Sequence, residues 1–115
     1  MDNYYEGFEG NPEIDIYTFS ENEKVGIEIW DGYFDEIMRA IQATNGEWQS
    51  LAYYYNLYEG WYDESPWKIP NNQEALKQFE SIDSSTLDKV SQEVLIKIIE
   101  LLKSNSNNSI FIEYT

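Results

Sequence analysis

The chain contains no cysteine and no histidine in 115 residues. Without cysteine it can form neither a disulfide framework nor a thiolate metal site. Without histidine it cannot assemble a Ser-His-Asp or Cys-His nucleophile pair, an imidazole general base or an imidazole-ligated metal. Basic residues are scarce too: seven Lys and Arg stand against 22 Asp and Glu, a formal net charge of −15. A surface of that sign repels phosphate backbones and argues against direct nucleic-acid binding. Long apolar runs are also missing. The longest, Val94 to Leu102, is broken by Lys97 and Glu100, well short of the roughly 20 residues a bilayer span needs. The opening Met1-Asp-Asn-Tyr-Tyr-Glu-Gly-Phe-Glu-Gly10 has neither the basic nor the apolar region of a secretory signal. These features predict a cytoplasmic protein with no membrane partner. The six glycines never fall into a GxGxxG or GxxxxGK[ST] phosphate cradle.

What the chain has in quantity is acid and aromatic rings, and both are unevenly placed. Residues 1–67 hold 15 acids against Lys24 and Arg39, whereas residues 68–115 hold seven acids against five lysines. Of the 19 aromatics, 16 lie in the first stretch, leaving only Phe79, Phe111 and Tyr114 outside it. Neither piece is large enough to bury a stable core alone, so residues 1–115 read as one domain with a polarised surface.

The periodicity predicts an α+β fold. Met1 to Pro12 reads as irregular. Ile14 to Phe19 and Lys24 to Trp30 alternate in apolar character, giving two strands joined by a turn at Ser20–Glu23 into a hairpin, with Gly26 weakening the second strand. Phe34, Ile37, Met38 and Ile41 recur at helical spacing and predict a helix over Gly32–Ala43, capped by Asp31 and ended at Asn45-Gly46. Trp48, Leu51, Ala52 and Tyr55 predict a second over Glu47–Tyr58. Asn71 is placed to cap a third, with Glu74 reaching back and Leu76, Phe79 and Ile82 facing inward. Ser85-Thr-Leu-Asp88 predicts the start of the longest helix, running to about Lys103, and Ile110 to Tyr114 reads as a closing strand. The architecture expected is about four helices packed on a small, mostly antiparallel sheet.

Three kinds of chemistry fit the acids. Paired carboxylates beside aromatics serve glycosidases, and Tyr58 to Trp67 holds three acids and four aromatics. Nothing there sets an acid opposite a nucleophile, so the tract reads as solvated surface and no enzyme is predicted. Asp2, Glu6, Glu9, Glu13 and Asp15 offer oxygens to calcium, but their spacing does not match an EF-hand loop. They read as a flexible acidic tail, with no metal and no cofactor. A binding surface is the third reading. The predicted helix Glu47–Tyr58 carries five rings, more than one face can bury, and Tyr and Trp are the residues that anchor interfaces. Acids around exposed rings complement a basic partner. Concentrating them in one stretch also suits electrostatic steering, which raises association rates to about 10⁸–10⁹ M⁻¹s⁻¹ at low salt.

The small, acidic, Cys- and His-free domain, the Trp48-Gln-Ser-Leu-Ala-Tyr-Tyr-Tyr55 segment, the Glu59-Gly-Trp-Tyr-Asp-Glu64 tract and the C-terminal strand together resemble bacterial immunity proteins. The likeness is greatest to those of contact-dependent growth inhibition systems, and looser to colicin nuclease immunity proteins. The resemblance implies a cytoplasmic antidote that masks the active site or substrate cleft of a cognate basic toxin domain, often a nuclease. From the sequence itself, Asp31, Asp35, Glu36, Glu59, Asp63 and Glu64 are the candidate partners of its Lys and Arg, and Tyr54, Tyr58 and Trp61 the aromatic anchors. Two rival readings remain. One is a nucleic-acid mimic, which needs acids spaced along an elongated surface rather than one compact patch. The other is a carbohydrate-binding module using Trp61, Trp67 and nearby acids.

Overall fold

In the computed structural model, residues 2–41 and 66–114 are described, Trp67 by its backbone alone. The predicted hairpin forms from β2 (Glu13–Ser20) and β3 (Glu23–Trp30), in register from Glu13 opposite Trp30 to Ser20 opposite Glu23. Its two turn residues, Glu21 and Asn22, both take the left-handed conformation, at φ 52° and 68°. This is the turn whose twist matches that of the flanking strands. Gly26, which weakens β3 on propensity, is required by geometry. A Cβ there would run into the carbonyl oxygen of Ile16 and lie 2.7 Å from Tyr17 Cα, so only glycine lets the two backbones approach.

The sheet has five strands in the order β1-β3-β2-β5-β4. β5 (Phe111–Tyr114) pairs antiparallel with β2, and β4 (Trp67–Lys68) pairs antiparallel with β5. The remaining strand corrects the sequence reading. Asp2–Tyr4, expected to be irregular, forms β1 and pairs in parallel with β3, setting Asn3 opposite Glu28. Three residues are too few to show an alternation. The open edge of β3 supplies the order that the segment lacks by itself.

Three α-helices lie among the described residues. α1 (Asp31–Ala40) buries Phe34, Ile37 and Met38 as the spacing predicts, but it starts and ends earlier than expected. Asp31 is not its cap. Trp30 holds that position without a side-chain bond, and the Asp31 N–H donates to the Pro12 carbonyl at 3.2 Å. Beyond Ala40 the chain turns extended at Ile41, which stays buried. The predicted Asn45-Gly46 stop and the helix Glu47–Tyr58 lie outside the described residues. α2 (Asn72–Glu80) starts as read: Asn71 Oδ1 accepts the Glu74 N–H at 3.1 Å. α3 (Lys89–Ser104) begins three residues later than a cap at Ser85 suggests. Ser84–Thr86 form a separate 3-10 turn, and extended Leu87 drops into the core before Asp88 caps the helix.

All three helices cover one face of the sheet. Ile14, Ile16, Ile27, Ile29 and Ile112 from the strands join Phe34, Phe79, Val94, Ile98 and Leu102 from the helices in a single core. Alternation then sends Glu13, Asp15, Tyr17 and Phe19 of β2, Lys24 and Glu28 of β3, and Phe111 and Glu113 of β5 to the opposite face. No helix among the described residues is long and apolar enough to cross a membrane.

Because the Gly26 contact is backbone to backbone, Gly26→Ala should destabilise the protein by about 1–3 kcal/mol, the usual range for overpacking. Chemical denaturation measures this, and an unchanged midpoint would contradict the close approach.

Candidate functional site

The face opposite the helices is ordered in cross-strand rows. In one row Glu28, Asp15 and Glu113 stand directly opposite one another across β3, β2 and β5. The next holds Gly26, Tyr17 and Phe111, and the one after it sets Lys24 opposite Phe19. Glu13 lies beside the acidic row, opposite Trp30. Opposed residues in an antiparallel pair sit about 4.5–5.5 Å apart at Cα, and like charges placed so destabilise the sheet. Here three carboxylates share one row.

The two ends of that row are treated differently. Glu113 accepts a 2.9 Å hydrogen bond from the Tyr17 hydroxyl, and Lys24 Nζ lies 3.9 Å from the same oxygen and 4.3 Å from the centre of the Tyr17 ring. At the other end, carboxylate oxygens of Glu13, Asp15 and Glu28 all lie within 4.8 Å of one another. Among the described residues no Lys or Arg forms an ion pair with these three, and Asp15 Oδ1 is buried without a hydrogen-bond partner. Burial, a hydrogen bond with Glu13 and the charges of Glu13, Glu28 and Glu113 push the Asp15 carboxyl up to about 8. Burial and the bond to Glu113 likewise raise the Tyr17 phenol to about 12, so Tyr17 remains a donor.

Beside the acids is an aromatic strip. The Tyr17 ring meets Phe19 edge-on at 5.6 Å and stacks on Phe111 at 5.8 Å. Tyr17 is only 4% exposed, whereas Phe19 is 52% exposed, the arrangement of a ring held ready for contact rather than folded away. At the far end Phe8 stacks on Trp30 at 4.3 Å and meets Tyr33 edge-on, which fastens the segment after β1 to the start of α1.

Of the residues singled out from sequence, Asp31, Asp35 and Glu36 lie on α1, in the helical layer, away from this face. Asp35 is held by Arg39, Nε to Oδ2 at 2.7 Å. Burial, followed by the Asp35 charge, raises the Asp31 carboxyl. Glu36 is structural. It accepts the Asp88 N–H at 2.6 Å and the hydroxyl of fully buried Ser91 at 2.8 Å, tying α1 to the start of α3. Tyr54, Tyr58, Glu59, Trp61, Asp63 and Glu64 lie outside the described residues. The acidic tail is not flexible throughout. Asp2 pairs with Lys97 at 3.8 Å, and Glu9 accepts the Gly7 N–H at 3.3 Å.

Glu13, Asp15, Glu28, Glu113, Tyr17, Phe19 and Phe111 are the residues that sequence reasoning missed as a group. The alternation that places Ile14, Ile16, Ile27 and Ile29 inward was enough to put the acids of β2 and β3 on one outer face. Glu113 joins them only through the non-local pairing of β5. Each of Glu13, Asp15 and Glu28 offers one oxygen, three in all, which is half or less of the six to eight that calcium takes. A cavity of about 360 Å³ between Lys68–Gln73 and Ser106–Ser109 is lined by Lys68, Ile69 and Pro70 together with amides and hydroxyls. There Asn72 donates to the Asn108 carbonyl at 2.7 Å, so its polar groups tie the loop to α2. No family model, curated protein or solved structure matches this chain.

An unfolded aspartate titrates near about 3.9, so between there and the folded value of about 8 the native state holds the extra proton. Raising pH through that window therefore costs stability. Asp15→Asn should be neutral near pH 4 and increasingly stabilising toward pH 8, by about 1–2 kcal/mol after solvent screening, with a plateau above. Parallel stability curves for the two proteins would contradict this. Glu36→Ala, which strips the Asp88 N–H and the Ser91 hydroxyl of their acceptor, should cost about 1–3 kcal/mol in denaturant titrations. No loss would contradict the tie between α1 and α3.

Proposed function

We propose that this chain is an immunity-type antidote that binds a basic toxin domain, a nuclease, and masks its active site or substrate cleft. The acid and aromatic face of the sheet serves as the contact surface, acting in the cytoplasm of the producing cell. One observation carries the reading: the row Glu28–Asp15–Glu113, with Glu13 beside it, concentrates carboxylates that the chain's own bases leave unneutralised at one end. Folds break local rules of this kind at functional sites and offset the cost elsewhere, so an unrelieved acidic row is read as a place for a partner. A cleft lined with Lys and Arg to hold phosphates supplies that compensation, and its charge is opposite to that of this chain. The adjacent strip of Tyr17, Phe19 and Phe111 gives the contact an apolar centre from which water can be expelled.

Among the rival readings, the nucleic-acid mimic requires an elongated track of acids. The row spans three neighbouring strands, a width of about 10 Å, which is a compact patch and favours a single dedicated partner. The carbohydrate reading rested on the Trp61 and Trp67 rings, which the described residues do not include.

The test seeks a basic domain in the adjoining reading frame and co-expresses it with the chain. Glu28→Lys inserts a cation opposite Asp15, so it should raise thermal stability near pH 8 while weakening binding at least tenfold and flattening its salt dependence. Opposite signs separate a damaged interface from a damaged fold. Binding that keeps its affinity and salt slope would place the contact elsewhere.

A further inference from the structure

The sheet edge that carries β1 is open for part of its length. β1 covers β3 from Ile27 to Ile29, and among the described residues no strand lies beside Glu23–Gly26 on that side. A two-residue turn bonds its flanking residues to each other, which makes Ser20 and Glu23 a hydrogen-bonded pair. The alternation along an antiparallel ladder then turns Lys24 and Gly26 away from β2. Their N–H groups and the Lys24 carbonyl face the open stretch. Beside it a cavity of about 190 Å³ runs between Val25–Ile27 on one side and Lys97, Glu100 and Leu101 of α3 on the other. We infer that this edge takes an extended basic segment of a partner protein as an added strand, at a surface separate from the acid and aromatic face.

The edge has the features of a strand acceptor. Val25 shares the inward face with Ile27 and Ile29, yet it is 44% exposed where Ile27 is 2% exposed. It is one half of a cross-strand apolar pair whose other half the chain does not supply among its described residues. Open edges are ordinarily guarded by charge on the strand. Here the Lys24 ammonium is drawn to the outer face, against the Tyr17 ring and Glu113, and Gly26 has no side chain to shield its backbone. The same edge already orders one segment: Asp2–Tyr4 has no alternation of its own and becomes a strand by pairing with Ile27–Ile29.

Charge selects the occupant. Both lysines near the groove are engaged, Lys97 with Asp2 and Lys24 with Glu113. Glu23 and Glu100 are exposed and form no ion pair among the described residues. A segment with an apolar residue for Val25 and an arginine or lysine for Glu100 matches the groove on both counts. An acidic strand, or a second copy of a chain that carries −15, meets repulsion instead. In strand addition main-chain bonds hold the segment, and alternate side chains read the groove.

The experiment uses the full chain and, as probe, a short end-blocked peptide of alternating valine and threonine that ends in arginine. NMR reads hydrogen exchange at single amides. Saturating peptide should slow the Lys24 and Gly26 amides about tenfold or more, while Val25, whose amide faces β2, keeps its rate. Val25→Lys, at an exposed position, should abolish the effect with the thermal midpoint unchanged. A peptide ending in glutamate should bind about fivefold more weakly. Unaltered exchange at Lys24 and Gly26 would overturn the inference. So would equal binding by the glutamate peptide, or by an arginine peptide methylated at alternate amide nitrogens. A wild-type dimer in sedimentation that Val25→Lys dissociates would overturn it in favour of a second copy. The antidote reading is tested apart from this, by Glu28→Lys on the sheet face, so either can fail while the other stands.

Discussion

Three carboxylates aligned across three strands repel one another, and most of the outer face of this protein is arranged around that repulsion. Glu113 is relieved by a tyrosine hydroxyl and a lysine drawn onto the Tyr17 ring. Burial, a hydrogen bond with Glu13 and the neighbouring carboxylates raise the Asp15 carboxyl, which eases the repulsion. Glu28 borders β1, whose facing residue at that position is an uncharged asparagine. Glycine at position 26 brings β2 and β3 close enough for the Tyr17 row to pack beside the acids. Each of these local choices lessens the strain without removing it, and the remainder is what a cationic partner would meet.

The other face shows why the fold can tolerate this. Its strands contribute isoleucines almost exclusively to a core closed by three helices, and nearly every one of those side chains is fully buried. Each such side chain stabilises the fold by about 1.5–3 kcal/mol when removed from water. That reserve offsets an electrostatic penalty confined to half-buried groups. The two faces differ in kind: apolar burial on one side of the sheet holds the shape, and the other gathers carboxylates that no Lys or Arg among the described residues pairs with at one end. Glu36 shows the reverse assignment, an acid of the helical layer used as a bracket between α1 and α3.

Much of this was legible in the amino-acid order, and the failures have physical causes. The hairpin, the inward faces of α1 and α3, the Asn71 cap and the closing strand all rest on local periodicity or local hydrogen bonding, which sequence records directly. β1 was invisible because a three-residue edge strand is made by its neighbour rather than by its own pattern. The start of α3 was misplaced because Ser85 and Asp88 both satisfy a capping pattern, and the burial of Leu87 between them decides in favour of the second. Gly26 looked like a weak point because propensity scales ignore the opposing backbone. The acidic row was half legible, since alternation alone sends Asp15 and Glu28 outward together. Its completion by Glu113, 98 residues along from Asp15, depends on strand order, which no local signal carries. The charge asymmetry of the chain overlaps this row in part, since Asp15 and Glu28 belong to the acid-rich stretch. The aromatic tract at 53–67 drew attention away from them because composition weighs residues without knowing which share a face.

The account stands or falls on whether the unbound protein holds these carboxylates close enough to repel one another. A site-resolved NMR titration of the Asp15 side-chain carboxyl in the free protein measures this directly. A midpoint near 8 is the predicted result. A midpoint near the ordinary aspartate value of about 4 would mean that the cluster is already neutralised or well hydrated, and would contradict the central claim.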